Sequence, residues 1–413
     1  MPALIPCVLL LCSHCTGRCC IRHPRSCTDG KVRADNLLIF ASKHPERGAA
    51  LVRGTQIAEY MQGAVLLGGP RVHKACQIMG HANKVSCARH SRRMVVVHLK
   101  DLSTALFTSL PYAVHLLDPI DKVYRGWSTP NDMRLCGLLT HSDAQAELYR
   151  AHGVTTSWTV PDHGLPACEA HGGQGSAAPL TAEAQRRVFD RRTVVVLGGT
   201  PSPVLRATLG DWAGRAGARL LYEKDLRSSI AFSLSEGWSA WLCTLLRQNA
   251  SIAVAWDQVT GLEFESDCTR HMGLTGGECF ALKPAERFIV PLSAGLPAIG
   301  YRYPSFREAA RSRRSPERSA RRASDLLLAG SLAGLVTRLD ALTSNFSHWQ
   351  RARGFADAVG ASHSMRAIAA SYRRVRQSAL AVKAPSERCS ERGKAAHSAR
   401  RAPPDNIPRP AIG

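Results

Sequence analysis

The chain is short of acid: its 413 residues hold 32 Asp and Glu against 54 Lys and Arg, a formal charge of +22. A surface that basic attracts anions, whether nucleic acid, anionic lipid or phosphorylated small molecules. Long hydrophobic runs are missing too, and nothing approaches the eighteen continuous apolar residues of a membrane span. Aromatics make up 6% of the chain and hardly interleave with the arginine runs Arg313-Arg314 and Arg321-Arg322, so a base-stacking surface is not indicated. Zinc-finger, RRM and KH signatures are lacking. So are a Gly-x-Gly-x-x-Gly after any expected strand, a Gly-x-x-x-x-Gly-Lys-Ser/Thr loop and a Gly-x-Ser-x-Gly elbow, which sets aside dinucleotide oxidoreductases, P-loop enzymes and elbow-type hydrolases. What is present is an apolar content of 45% with 21% charged residues, enough for two domains with their own cores.

The charge is uneven. From Phe306 to Gly413 there are 21 Lys and Arg against 8 Asp and Glu, so +13 of the +22 lies in the last quarter. Beyond Lys383 the Pro, Ser and Arg content reads as a disordered basic tail. At the other end, residues 1–35 read as a leader that is disordered or processed. Six of the fourteen cysteines fall in its first 27 residues, and Leu4 to Cys12 resembles the apolar core of a signal peptide without a preceding positive charge. The eight remaining cysteines are scattered singly, where reduced, buried thiols are the expectation. Cys12 and Cys15, with His14 and His23, lack the second well-spaced ligand pair of a structural zinc site, so no metal is expected.

Between these ends, short apolar runs alternate with helical patterns. Expected strands are Leu37–Ala41, Ala64–Leu67, Met94–His98, Ala113–Leu117, Leu135–Thr140 and Val154–Val160. A glycine-rich break around Gly172, Gly173 and Gly175 follows. The alternation then resumes with Val194–Leu197, Arg219–Tyr222, Ser251–Ala255 and Leu296–Gly300. Helices are expected over 49–62, over 142–152 with Ser142 as cap, over 238–247 and over 284–294. Strand–helix–strand at this spacing gives α/β units with parallel sheets. The layout is a first Rossmann-like domain (36–170), a linker (171–190), a second such domain (191–345) and helices returning to the first (346–382). In the last of these, Met365, Ile368, Tyr372, Val375 and Ala379 form one apolar stripe.

Ligands of doubly wound sheets collect at the carboxyl ends of strands. Three loops of the second unit sit there. Gly198-Gly199-Thr200 separates a strand from a helix and offers backbone N–H groups to a phosphate. Trp256-Asp257 follows the third strand of that unit. Lys283-Pro284-Ala285-Glu286-Arg287 opens a helix, with Pro284 in its first turn. The dipole repels these two cations, and a bound anion offsets that cost.

The run from Lys283 to Ile299, a basic helix start leading through Gly295-Leu296-Pro297 into a strand, resembles the donor-binding signature of glycosyltransferases of the GT-B type. Asn249 to Trp256 is similar to the strand before the donor loop. Leu138 to Ser142 with Gln145 and Tyr149, then Val160-Pro161-Asp162-His163-Gly164, resembles the last strand–helix–strand of the acceptor domain. The likeness spans roughly Leu37 to Leu380. Where many retaining members carry two glutamates, this chain has Leu282 and Val290. Glu278 and Glu286 keep the eight-residue separation but stand four positions early, which leaves the stereochemical outcome open.

The resemblance implies two facing Rossmann-like domains, an interdomain cleft and transfer of a sugar from a nucleotide-sugar to an acceptor hydroxyl. The diphosphate would be met by Arg287, Lys283 and helix N-termini without an obligatory metal. Gly198, Gly199, Thr200, Trp256, Asp257 and Glu286 complete the expected donor site. For a base, His44, Asp118, Asp121 and His141 lie near strand ends of the first unit. His44 leads because its neutral ring accepts a proton near pH 7, and Asp118 is the second choice. Lys43, Arg47, His141 and His163 are expected along the cleft. Partners follow as a nucleotide-sugar co-substrate and a glycan, lipid or small-molecule acceptor, with no further cofactor and no obligatory nucleic acid. Peripheral contact with an anionic membrane and a cytoplasmic or cytosolic-face location fit this reading. The alternatives are a sugar-nucleotide epimerase or phosphorylase-like relative, a nucleic-acid-binding protein acting through its basic tail, and a catalytically inactive scaffold of the same fold.

Overall fold

The structure, a computed structural model, describes residues 38–43, 51–61, 64–68, 84–120, 134–170, 181–198, 201–228, 238–256, 273–311 and 325–381. The leader, the basic tail, the glycine-rich break and the expected site residues His44, Arg47, Asp121, Gly199, Thr200 and Asp257 lie outside them.

The apolar runs of the first unit become β1 (Leu38–Ser42), β2 (Ala64–Gly68), β3 (Val95–Leu99), β4 (Val114–Asp118), β5 (Leu135–Thr140) and β6 (Ser157–Thr159). They pair in parallel in the order β2-β1-β3-β4-β5-β6. Side chains of a strand alternate between faces, and both faces are covered. Leu38, Phe40, Val95 and Val97 enter one apolar cluster, while Ile39, Ala41 and Val96 enter another. The second unit contains β7 (Thr193–Leu197), β8 (Arg219–Tyr222), β9 (Ile252–Ala255), β10 (Ala298–Tyr301) and β11 (Leu328–Ala329), again all parallel, in the order β11-β10-β9-β7-β8. In each sheet the direction of winding reverses once, between β1 and β3 and between β7 and β9. A crevice opens at the strand carboxyl ends at such a point. The α/β architecture of two Rossmann-like domains is therefore present as expected.

Several boundaries differ from the sequence reading. The expected helix over 49–62 is a π-helical turn, Leu51–Gln56, running into a single α-turn, Ile57–Tyr60. Part of the expected linker is helix Ala182–Asp190, which buries Val188 and Phe189 in the second core. Leu165 and Cys168 belong to that core as well, so the second domain begins earlier than 191. Helix Phe346–Ser362 does not return to the first domain. It buries Trp349, Ala352, Ala356 and Val359 in the second, and the Trp349 indole N–H donates to the Ser251 carbonyl at 2.8 Å. Helix Met365–Ala381 does cross back: its whole stripe, Met365, Ile368, Tyr372, Val375 and Ala379, is buried with Phe40, Val97 and Leu116.

The expectation of reduced thiols among the scattered cysteines is corrected. Packing of helix Pro166–Ala170 on helix Trp238–Asn249 brings Cys168 and Cys243 together as a disulfide with Cα atoms 5.5 Å apart, although 75 residues separate them in sequence. Cys87, Cys136 and Cys279 are disulfide-bonded too.

The two domains share an apolar seam, where Phe107, Leu117, Leu138 and Leu148 of the first cluster with Leu274, Cys279 and Leu282 of the second. Among the described residues no helix is long and apolar enough to cross a membrane.

Candidate functional site

The second domain sets a guanidinium against a glycine turn at its switch point. β7 and β9 are neighbours with Leu197 opposite Ala255, so Gly198 and Trp256 stand at adjacent strand ends. Gly198 has φ +120°, a conformation only glycine adopts without strain. A Cβ there would also meet the Arg287 guanidinium, with Nη1 at 3.0 Å. The Gly198 N–H donates to Glu223 at 3.0 Å.

Arg287 is exposed and lies in the first turn of helix Glu286–Ser293. That helix starts two residues later than expected, so Pro284 precedes its N-cap, Ala285, rather than occupying the first turn. Its end fits the expected turn, since Gly295 follows the C-cap with φ +77° and leads through Pro297 into β10. Lys283 stands before the helix, partly buried, and its carbonyl accepts the Ser305 hydroxyl at 2.5 Å. Glu286 titrates near neutrality. Burial pushes its carboxyl up to about 7, Asp162 and Glu223 add to the shift, and Arg287 and Arg53 oppose it. Trp256 is buried and packs edge-on against the partly exposed Tyr301 at 5.3 Å, whose ring also packs against Phe280 and Tyr303.

The first domain presents a charged network in place of separate bases. Arg53, 2% exposed and within the π-helical turn, donates from Nε to Asp118 at 2.6 Å. Its Nη1 donates to Asp162 at 2.9 Å and to the Val160 carbonyl at 3.0 Å. Nη2 is buried without a hydrogen-bond partner. The Tyr372 hydroxyl from the returning helix donates to the Arg53 carbonyl at 3.3 Å. The second oxygen of Asp118 accepts the Ile120 N–H at 3.1 Å, and burial raises the Asp118 pKa against the pull of Arg53. Asp118 thus lies in a sealed ion pair, with no exposed oxygen to take a proton from an acceptor.

His163 and His141 are likewise sealed into the structure. His163 sets Nε2 against the Val52 carbonyl at 2.8 Å and Nδ1 against the Gly164 carbonyl, and burial lowers its pKa. His141 reaches across the seam to the Leu282 carbonyl at 3.2 Å. Lys43 is exposed at the carboxyl end of β1.

The structure therefore brings Gly198, Glu286 and Arg287 together. It places Trp256 in the core, Asp118 in an ion pair and His141 and His163 in the seam. Sequence reasoning gave no role to Arg53, Asp162, Glu223 or Glu308. Two aspartates near strand carboxyl ends, Asp118 closing β4 and Asp162 three residues past β6, were a signal that a buried cation lay nearby.

The domains also hold one another by charge. The free oxygen of Asp162 accepts the Ala285 N–H at 2.9 Å. In the opposite direction Glu308, from helix Pro304–Ala310, accepts the Asp143 and Ala144 N–H groups at 2.7 and 2.9 Å. Ser142 accepts from Gln145 as expected, so the first three N–H groups of helix Asp143–Ala151 are all met.

No protein-family model matches the chain, and no curated protein matches its sequence. Among solved structures, it is similar to a UDP-forming α,α-trehalose-phosphate synthase from Burkholderia xenovorans at 10% identity and a TM-score of 0.39. That alignment covers 84% of this chain and 99% of the other. A GtfA/B complex aligns at 12% identity and a TM-score of 0.36, over 71% of this chain and 60% of the other.

Proposed function

We propose that this protein is a glycosyltransferase that moves a sugar from a nucleotide-sugar donor to an acceptor hydroxyl. The observation that carries the reading is the meeting of the Arg287 guanidinium with the left-handed Gly198 turn, at the point where the winding of the second sheet reverses. A departing diphosphate fits there. It would take charge-assisted bonds from Arg287 and face the positive end of helix Glu286–Ser293. These charges suffice without an obligatory metal. Gly199, Thr200 and Asp257 adjoin the same corner in sequence, and Lys283 adds a second cation before the helix. Tyr301 offers the nucleobase an aromatic face. Glu286, titrating near 7, is poised to exchange hydrogen bonds with donor hydroxyls.

On the acceptor side, the buried Arg53 network forms the floor. His44, one residue past the exposed Lys43, remains the proposed base, and Asp118 leaves that role for a structural one. The acceptor is a glycan, lipid or small molecule. The disulfides favour an oxidising compartment over the cytosol of the sequence reading, because thiols stay reduced in the latter.

The test is a thermal-shift series on the full chain with UDP, GDP, CMP, ADP and their sugars, and an oligonucleotide as control. Saturation at about a hundredfold over Kd stabilises the fold by about 2.7 kcal/mol, a readily measured rise in Tm. The expected result is a rise selective for one nucleotide that is lost in Arg287→Ala. A cooperatively melting protein that ignores every nucleotide would overturn the proposal.

A further inference from the structure

The anion corner is built by the second domain, yet the residue that opens its helix is held by the first. Asp162 spends one oxygen on Arg53 and the other on the Ala285 N–H, directly before Glu286 and Arg287. At 2% exposure it has no solvent to replace either bond. Glu308 makes the mirror-image contact, a carboxylate of the second domain on the N-terminus of a helix of the first. Each carboxylate meets N–H groups that helix geometry leaves unpaired, and each gains from the positive helix end. Two such contacts of opposite direction fix the orientation between domains as well as the distance, and both lie beside the apolar seam.

We infer that Asp162 and Glu308 are positioning residues forming a reciprocal clasp between the domains, through which the Arg53–Asp118 network of the first domain sets the placement of Glu286 and Arg287 in the second. The inference rests on the proposed anion site. Asp162 has a further effect that Glu308 lacks: its charge faces Glu286, together with Glu223, Arg53 and Arg287.

The experiment uses the full chain, with Asp162→Asn, Glu308→Gln and wild type compared in two ways. Residue-resolved amide exchange reads the clasp without any ligand. Glu308→Gln should speed exchange at Asp143 and Ala144, and Asp162→Asn at Ala285, each by at least about tenfold, the equivalent of one hydrogen bond to a charged group. Calorimetric titration with pyrophosphate reads the site. Both variants should bind about tenfold more weakly. Only Asp162→Asn should move the pH at which binding weakens, and it should move downward, because Glu286 loses a negative neighbour.

Failure of wild type to bind pyrophosphate would sink the anion site, while exchange would still decide the clasp. Wild-type binding with unchanged affinity in both variants, or unchanged exchange at the named amides, would overturn the clasp. Should Asp162→Asn not fold, the partly exposed Glu308 gives the same decision from the other side.

Discussion

Acid should destabilise this protein through one pair of rings, His98 on β3 and His115 on β4. Both are buried, and their tautomers are fixed by the bonds they make. The Ser103 N–H donates to Nδ1 of His98 at 3.1 Å, so the His98 proton sits on Nε2. That Nε2 donates to Nδ1 of His115 at 3.0 Å, and Nε2 of His115 donates to the Leu110 carbonyl at 3.0 Å. Phe107 stacks on His98 at 5.0 Å and packs at a tilt against His115 at 4.3 Å. Every ring nitrogen is used, and an added proton would set two donors against each other. Burial accordingly lowers His115 from 6.5 to about 4, and it lowers His98 well below 6.5, with His115 adding to that shift.

Because the folded pKa values are depressed, the unfolded chain binds more protons below pH 6.5. Stability is therefore fully present above that pH and is lost as pH falls towards 4. At 1.36 kcal/mol per unit, His115 alone removes about 3 kcal/mol by pH 4. The assay is urea unfolding from pH 7 to pH 4 for wild type and for His98→Leu/His115→Leu, whose difference cancels the other titrating groups. Wild type should lose at least about 3 kcal/mol more than the double variant over this range, the His115 share alone, with His98 adding to it. Parallel pH profiles would refute the reasoning.

Two further outcomes follow from the packing. Replacing Cys243 by Ser opens a loop of 75 residues, and loop entropy puts the cost at up to about 4.5 kcal/mol. A reducing agent should lower the Tm of wild type at least to that of the variant, since it also opens the bonds of Cys87, Cys136 and Cys279, whereas free-thiol labelling of Cys168 in the native protein would show that the bond is absent. Arg53→Met leaves Asp118 and Asp162 as uncompensated buried charges and should lower unfolding stability by about 3–5 kcal/mol. A loss below about 1 kcal/mol in urea titration, the range of a surface pair, would show that water reaches this network.

The central strands were legible because each is a local run of apolar residues covered on both faces, and ten of the eleven described strands coincide with expected runs. The exception, β11, has two residues, too few to show a period. Ser142 was legible as a cap because capping is settled within four residues. The stripe from Met365 to Ala379 was legible for the same local reason. Arg53 was not: its partners lie 65 and 109 positions away, and a lone arginine in an expected helix looks like a solvated face. The buried surroundings of Asp118, His141 and His163 were hidden similarly. Proximity to a strand end marks a site, but whether a side chain faces solvent or a buried partner is decided by segments distant in sequence. The π-helical turn was hidden because its register depends on tertiary contacts rather than on periodicity. The Gly198–Arg287 corner was half legible: each loop was marked, and only the fold set the guanidinium against the turn.

The returning helix imposes an order of assembly on the chain. Phe40, Val97 and Leu116 belong to an early segment, yet their cover, Ile368, Tyr372 and Val375, comes from one far downstream, after the whole second domain. Domains usually fold as they emerge from the ribosome. Here the leading domain must wait with part of an apolar sheet face covered only by Ile57 and Met61 while the trailing one is completed. The trailing domain, whose core contains no residue of the first sheet, is free to finish beforehand. Residues 38–164 alone do not constitute a unit that can close its own core.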